Sequence, residues 1–259
     1  MSTLRMMIMG AGAAGATGVA VFTQPRAPEP SELTQEQSTA EVCLKSKLAF
    51  FEGVDARCYN VDDLRAMLKK PLVDMSGERV AVMMAHPTDV SIAPKSVQNC
   101  ADYREMQFEG WYAATSREMR REGFFVRACG VLKALNDAQP AAKSFFVNGS
   151  PAEEDVAVFG AGLKFGEAAN APDDVVVTKG DAFDWRISAD AMTITIQELA
   201  NADFDNDGVE EILAFTAGGP QGGGARFYDV GILEKDAEDA PLNFTVLNYG
   251  RNKAAGPSG

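Results

Sequence analysis

A single histidine, His86, serves the entire chain. That scarcity alone excludes HExxH zinc chemistry and every two-histidine metal site. A serine triad would have to recruit His86, which lies before Pro87 at the end of an apolar stretch, and no GxSxG elbow supplies a nucleophile. His86 therefore reads as a structural side chain. The four cysteines include no CxxC pair and, with one histidine, cannot build a Cys2His2 zinc site. The glycine-rich run 218–224 lacks the Lys-Ser/Thr of a phosphate-binding loop and leads toward a strand, so it reads as a hairpin link. Basic residues are also scarce: 24 Lys and Arg stand against 37 Asp and Glu, a net charge of −13. Such a chain repels the phosphate backbone and anionic lipid, so nucleic acid is not an expected partner, whereas a cation or a basic protein is. The adjacent acids Glu153-Glu154 and Asp173-Asp174 read as extended chain, on which neighbours face opposite ways. No carboxyl pair is thereby fixed at glycosidase spacing, and no catalytic residue emerges. Beyond residue 30 no segment is apolar enough to span a membrane.

What is present begins at the amino terminus. Arg5 is followed by an uncharged stretch over residues 6–22 and then by small and proline-rich residues, the order of an export signal. Residues 1–30 are thus expected to be a signal peptide and leader, cut between Ala16 and Ala27, with the mature protein periplasmic or secreted. No cysteine follows the apolar stretch to carry a lipid. The remaining chain, with 46% hydrophobic residues overall, can bury a substantial core. In an oxidising compartment Cys43, Cys58, Cys100 and Cys129 are expected to form disulfides.

The expected fold class is α+β, with a mainly helical part over 31–150 that includes an αα-hairpin and a β-rich part over 151–259 built as an antiparallel meander. Asn60 can cap a helix over 61–68, with Asp63 at its third position and Pro71 closing the segment. A short strand is expected at 79–85. Longer helices are expected at 97–111 and 116–137, the second with Thr115 and Glu118 at capping-box spacing and Pro140 as its stop. Phe125, Ala128, Leu132 and Leu135 recur at steps of three and four, one core face. Phe108, Trp111 and Tyr112 read as packing at the helix pair. If the pair turns near Ala113, Cys100 stands thirteen residues before the turn and Cys129 sixteen after it, nearly level. That pairs Cys100 with Cys129 and, by elimination, Cys43 with Cys58. From 155 onward the period becomes two, with strands expected at 155–159, 175–178, 183–188, 192–198, 211–217, 226–233 and 244–248. Their short links favour antiparallel pairing.

One segment carries specific chemistry. Asp203-Phe204-Asp205-Asn206-Asp207-Gly208-Val209-Glu210-Glu211 sets carboxylates at loop positions 1, 3, 5 and 9, with glycine at position 6. A calcium ion takes six to eight oxygens, and this spacing turns alternate side chains inward while Val209 at position 7 can offer its backbone carbonyl. The metal ligands expected are Asp203, Asp205, Asp207, Val209 and Glu211; Glu210 should face away. Position 12 is Ala214 rather than a bidentate glutamate, so the loop is not an EF-hand. Asp, Asn and Gly are also ordinary turn residues, and a solvated acidic turn is the competing reading.

These residues resemble the FG-GAP or VCBS type of calcium loop, in which DxDxDG with an acid at position 9 joins two strands. The resemblance spans about fifteen residues in a single copy, whereas the family's loops usually recur through propeller blades, so it implies Ca2+ binding but not a propeller. The remainder resembles exported bacterial proteins that carry one such loop. The function expected is an exported, non-enzymatic binding or interaction protein with a structural calcium site. The alternatives are a secreted or periplasmic hydrolase with acidic catalytic residues and an acidic inhibitor of a basic secreted enzyme. Amino-terminal sequencing of protein from the native host should find a start between residues 17 and 28. Retention of Met1 on cytoplasmic protein would contradict the export reading.

Overall fold

Capping side chains set where the helices of this chain begin. The computed structural model describes residues 41–162, 175–180, 183–189, 192–223, 226–247 and 249; the expected signal segment and Asp173-Asp174 lie outside them. Helix α1, Val61–Met67, starts at Asn60, whose side chain accepts from the Asp63 amide at 2.8 Å. Helix α2, Cys100–Phe108, starts at Asn99, and α3, Ser116–Asp137, starts at Thr115. Each cap satisfies an amide that the helix itself leaves without a partner. The Glu118 carboxylate does not fold back on Thr115; it accepts from the Met83 amide at 2.8 Å and so fastens α3 to strand β3, Val82–Met84. Phe125, Ala128, Leu132 and Leu135 are wholly buried on one face of α3.

Two expected elements differ. The helix foreseen over 97–111 is shorter, because Val97 belongs to β4, Lys95–Val97, which pairs antiparallel with β3. Asn99 then defers the helix start, and Gly110 at φ 80° ends the segment. Phe108 at its end is 93% exposed and not in the core, whereas Trp111 is buried. The strand foreseen at 155–159 is instead part of helix α4, Glu153–Gly162. Three acids in its first turn complement the helix dipole. Val156 and Gly160 lie four apart and are both buried. A Cβ on Gly160 would stand 2.8 Å from Ile187 Cγ2, so the glycine permits this close approach. The apparent alternation was a helical face read at the wrong period, and Glu153 and Glu154 sit on a helix, not on extended chain.

The sheet has six antiparallel strands in the order β10-β9-β8-β7-β6-β5, so every neighbour in space is a neighbour in sequence. They are β5, Val175–Lys179; β6, Asp184–Ala189; β7, Met192–Ala202; β8, Glu211–Pro220; β9, Phe227–Glu234; and β10, Asn243–Val246. Period-two alternation divides their apolar residues between two faces. Leu199, Ala200, Leu213 and Ile232 pack into the larger core with α1, α2 and α3. Ile194, Ile196, Ile212 and Leu233 pack with Trp185, Ile187 and Val156 of α4 on the other side. The architecture is mixed α+β. Gly218, Gly219 and Pro220 extend β8, and Gln221, Gly222 and Gly223 follow it.

Near the start of the described chain, β1, Glu41–Cys43, pairs with β2, Cys58–Asn60, as a second small sheet. The cysteines form Cys43–Cys58 and Cys100–Cys129 disulfides. No described helix is long and apolar enough to cross a membrane. The Cys100–Cys129 bridge closes 29 residues of chain and the Cys43–Cys58 bridge 15. Urea unfolding of the Cys100→Ala/Cys129→Ala double variant should therefore show a loss of about 3–4 kcal/mol, against about 3 kcal/mol for Cys43→Ala/Cys58→Ala. An unchanged midpoint in the first variant would contradict that contribution.

Candidate metal centre

The 203–211 loop is the turn between β7 and β8, and its backbone folds around its own carboxylates. Asp203 accepts from the Asn206 amide at 2.6 Å and the Gly208 amide at 2.9 Å. Asp205 accepts from the Asp207 amide at 3.1 Å, and Asp207 from the Val209 amide at 2.7 Å. Glu211 Oε2 accepts from the Phe204 amide at 2.6 Å. Gly208 has φ 88°, a conformation that favours glycine, and Asn206 reaches the left-handed region at 69°. The result brings oxygens of Asp203, Asp205, Asp207 and Glu211 within 4.8 Å of one another, a cluster that could hold a metal ion.

A second segment clamps this turn. Gln139 and Asp203 exchange both backbone hydrogen bonds, at 2.8 and 2.9 Å. The Ala142 and Lys143 amides donate to the Gly208 carbonyl, and the Glu210 amide donates to Lys143. None of these bonds involves the Val209 carbonyl. The chain leaving α3 is therefore stitched along the loop, an arrangement with no local signature in the sequence. Glu210 faces away from the cluster, where its Oε1 accepts from Ser144 at 2.9 Å and Asn201 at 3.0 Å.

Burial divides the four acids. Asp203 and Glu211 are buried, while Asp205 and Asp207 are exposed. Removal from water raises the Glu211 carboxyl to about 7; the Phe204 amide opposes that rise, and the charges of Asp205, Asp203 and Asp207 add to it. Beside the cluster lies a cavity of about 370 Å³, lined by Asp205 and Glu211 together with Phe204, Ile232, Leu247 and Tyr249.

The other residues considered earlier fall elsewhere. His86 Nδ1 accepts from the Asp89 amide at 3.1 Å, and its ring stands edge-on to Trp111 at 5.1 Å, a satisfied structural role. A polar cluster that sequence reading missed surrounds Glu198, which is fully buried and accepts from Lys45, Ser150 and Trp185. Lys45 and Glu198 lie 153 positions apart, too far for any spacing rule to connect them. Comparison with protein-family models, curated proteins and solved structures finds no match.

The raised Glu211 carboxyl gives the metal-free protein a distinctive pH response. Between about 4.5 and about 7 the folded state keeps a proton that the unfolded chain has released. This contribution to stability is complete below the lower value and is lost as pH rises through the upper one. In chelator, urea unfolding of wild type should show that decline, and Glu211→Gln should flatten it. A wild-type slope identical to that of Glu211→Gln would contradict the assignment.

Proposed function

We propose that this chain is an exported, non-enzymatic binding or interaction protein whose 203–211 loop binds one structural Ca2+. The observation that carries the reading is the convergence of Asp203, Asp205, Asp207 and Glu211 on one centre. Hard carboxylate oxygens, with the Val209 carbonyl at loop position 7, suit calcium better than a soft or imidazole-seeking metal. The FG-GAP or VCBS resemblance supports the same ion. Two disulfides fit an oxidising compartment, and with the amino-terminal pattern they support a periplasmic or secreted location. In this reading α2 and α3 act as a helix hairpin stapled by Cys100–Cys129. The partner class that the acidic composition favours is a basic protein.

The ion's role is structural. Its loop joins β7 to β8 and is bonded to the segment leaving α3, so neutralising the carboxylates fixes three elements at once. One observation favours the hydrolase alternative: Glu211, with its raised carboxyl, and Asp205 both line the cavity. The two readings separate cleanly, since a hydrolytic Glu211 would work best in chelator and a calcium ligand would not.

Thermal melts test the proposal. At a hundredfold excess of free Ca2+ over its dissociation constant, binding should add about 2.7 kcal/mol and raise Tm by roughly 5–10 °C relative to chelator. Asp205→Ala should abolish most of that difference. Equal melting temperatures for wild type in calcium and in chelator would return the loop to an acidic turn.

A further inference from the structure

Beside the buried Glu198 carboxylate stands the Lys45 amine, which shares a backbone carbonyl with the Asn201 side-chain amide. Glu198 is fully buried, and its Oε2 lies 2.6 Å from Lys45 Nζ. The Ser150 hydroxyl, at 2.9 and 2.8 Å from the two carboxylate oxygens, and the Trp185 indole N–H, at 2.8 Å, hold it in place. Asn201 is drawn to the same side of β7 by the register shift between Glu198 and Ala200. Their cross-strand partners, Ala214 and Ile212, lie two apart and belong to the same core, which confirms the shared face.

One carbonyl links nucleophile and electrophile. Gly149 O accepts from Lys45 Nζ and also from Asn201 Nδ2, the latter at 2.7 Å. Asn148 at φ 53° and Gly149 at φ 70° form the turn that presents it. A Cβ on Gly149 would meet Asn201 Nδ2 at 2.9 Å, so glycine is what allows the amide to come this close. The Asn201 Oδ1 is buried and has no hydrogen-bond partner among the described residues. A native structure does not ordinarily leave such a carbonyl unsatisfied.

We propose that Lys45 and Asn201 form an intramolecular isopeptide bond, with Glu198 carrying the proton. The 2.6 Å contact between Nζ and the Glu198 carboxylate is the path by which the reaction moves a proton from Nζ, leaving the neutral amine that attacks. The Glu198 carboxylic acid then serves as the proton source for the reacting amide. Nζ attacks Asn201 Cγ, the second amine proton returns through Glu198 to Nδ2, and the Cγ–Nδ2 bond breaks. One C–N bond forms, one C–N bond breaks, and ammonia leaves, with no oxidant or second reactant. Confinement of both groups beside one acceptor supplies the proximity that such a step needs. The bond would tie the chain just after β1 to the bulge of β7.

Intact-mass measurement of the reduced, full-length mature protein tests this. Wild type should weigh about 17 Da less than its sequence, the loss of one ammonia, and Asn201→Asp should lose about 18 Da as water. Trypsin should fail to cut after Lys45 and yield a branched peptide containing Lys45 and Asn201. Lys45→Arg and Glu198→Gln should keep their full masses. The wild-type mass decides even if a variant does not fold. A full wild-type mass with cleavage after Lys45 would overturn the proposal, as would a link mapped to other residues; ammonia loss in folded Glu198→Gln would overturn the role of Glu198.

Discussion

Crowding of negative charge at the β7–β8 turn is the constraint on which the centre of this fold depends. Two carboxylates at the 4.8 Å limit of the cluster repel by about 1 kcal/mol in a water-like medium and by about 3–4 kcal/mol at an effective dielectric near 20. Four such groups make six pairs. Five backbone amides donate into the cluster, each offsetting some of that repulsion. Burial first, and the charges of Asp205, Asp203 and Asp207 after it, raise the Glu211 carboxyl despite the Phe204 amide. A divalent ion would relieve the repulsion further and at any neutral pH.

The same turn explains why the two halves of the chain share a core. Leu199, Ala200 and Leu213, on either side of the loop, pack with Leu132 and Leu135 of α3, while Ile212 and Ala214 pack beneath α4. Hydrogen bonds from Gln139, Ala142 and Lys143 then run along the loop as the chain leaves α3. Strain relieved at the carboxylates is therefore felt by α3, β7 and β8 together. A bulge at Leu199 adjusts the alternation of β7 so that Glu198 and Asn201 can both face inward, and the strand thus carries two polar centres at its end.

Much of this was legible from residues whose signals are local. Asn60, Thr115 and the Phe125 to Leu135 periodicity mark helix starts and a buried face, and DxDxDG marks the acidic turn. The three-residue strands β1 and β4 are too short for a period to register, and α4 was misread because Val156 and Val158 alternate within a helix. Long-range polar contacts had no signal at all. Lys45 meets Glu198, and Gln139 meets Asp203, only once the sheet and helices are packed.

Calorimetric titration of calcium into chelator-stripped protein tests the central claim most directly. The account predicts one ion per chain, with a dissociation constant of roughly 0.1–1 mM if the loop behaves as an extracellular module. Asp203→Asn, which keeps the shape of the buried ligand and removes its charge, should weaken that binding sharply. Absence of saturable binding by folded wild-type protein, or equal binding by Asp203→Asn, would contradict it.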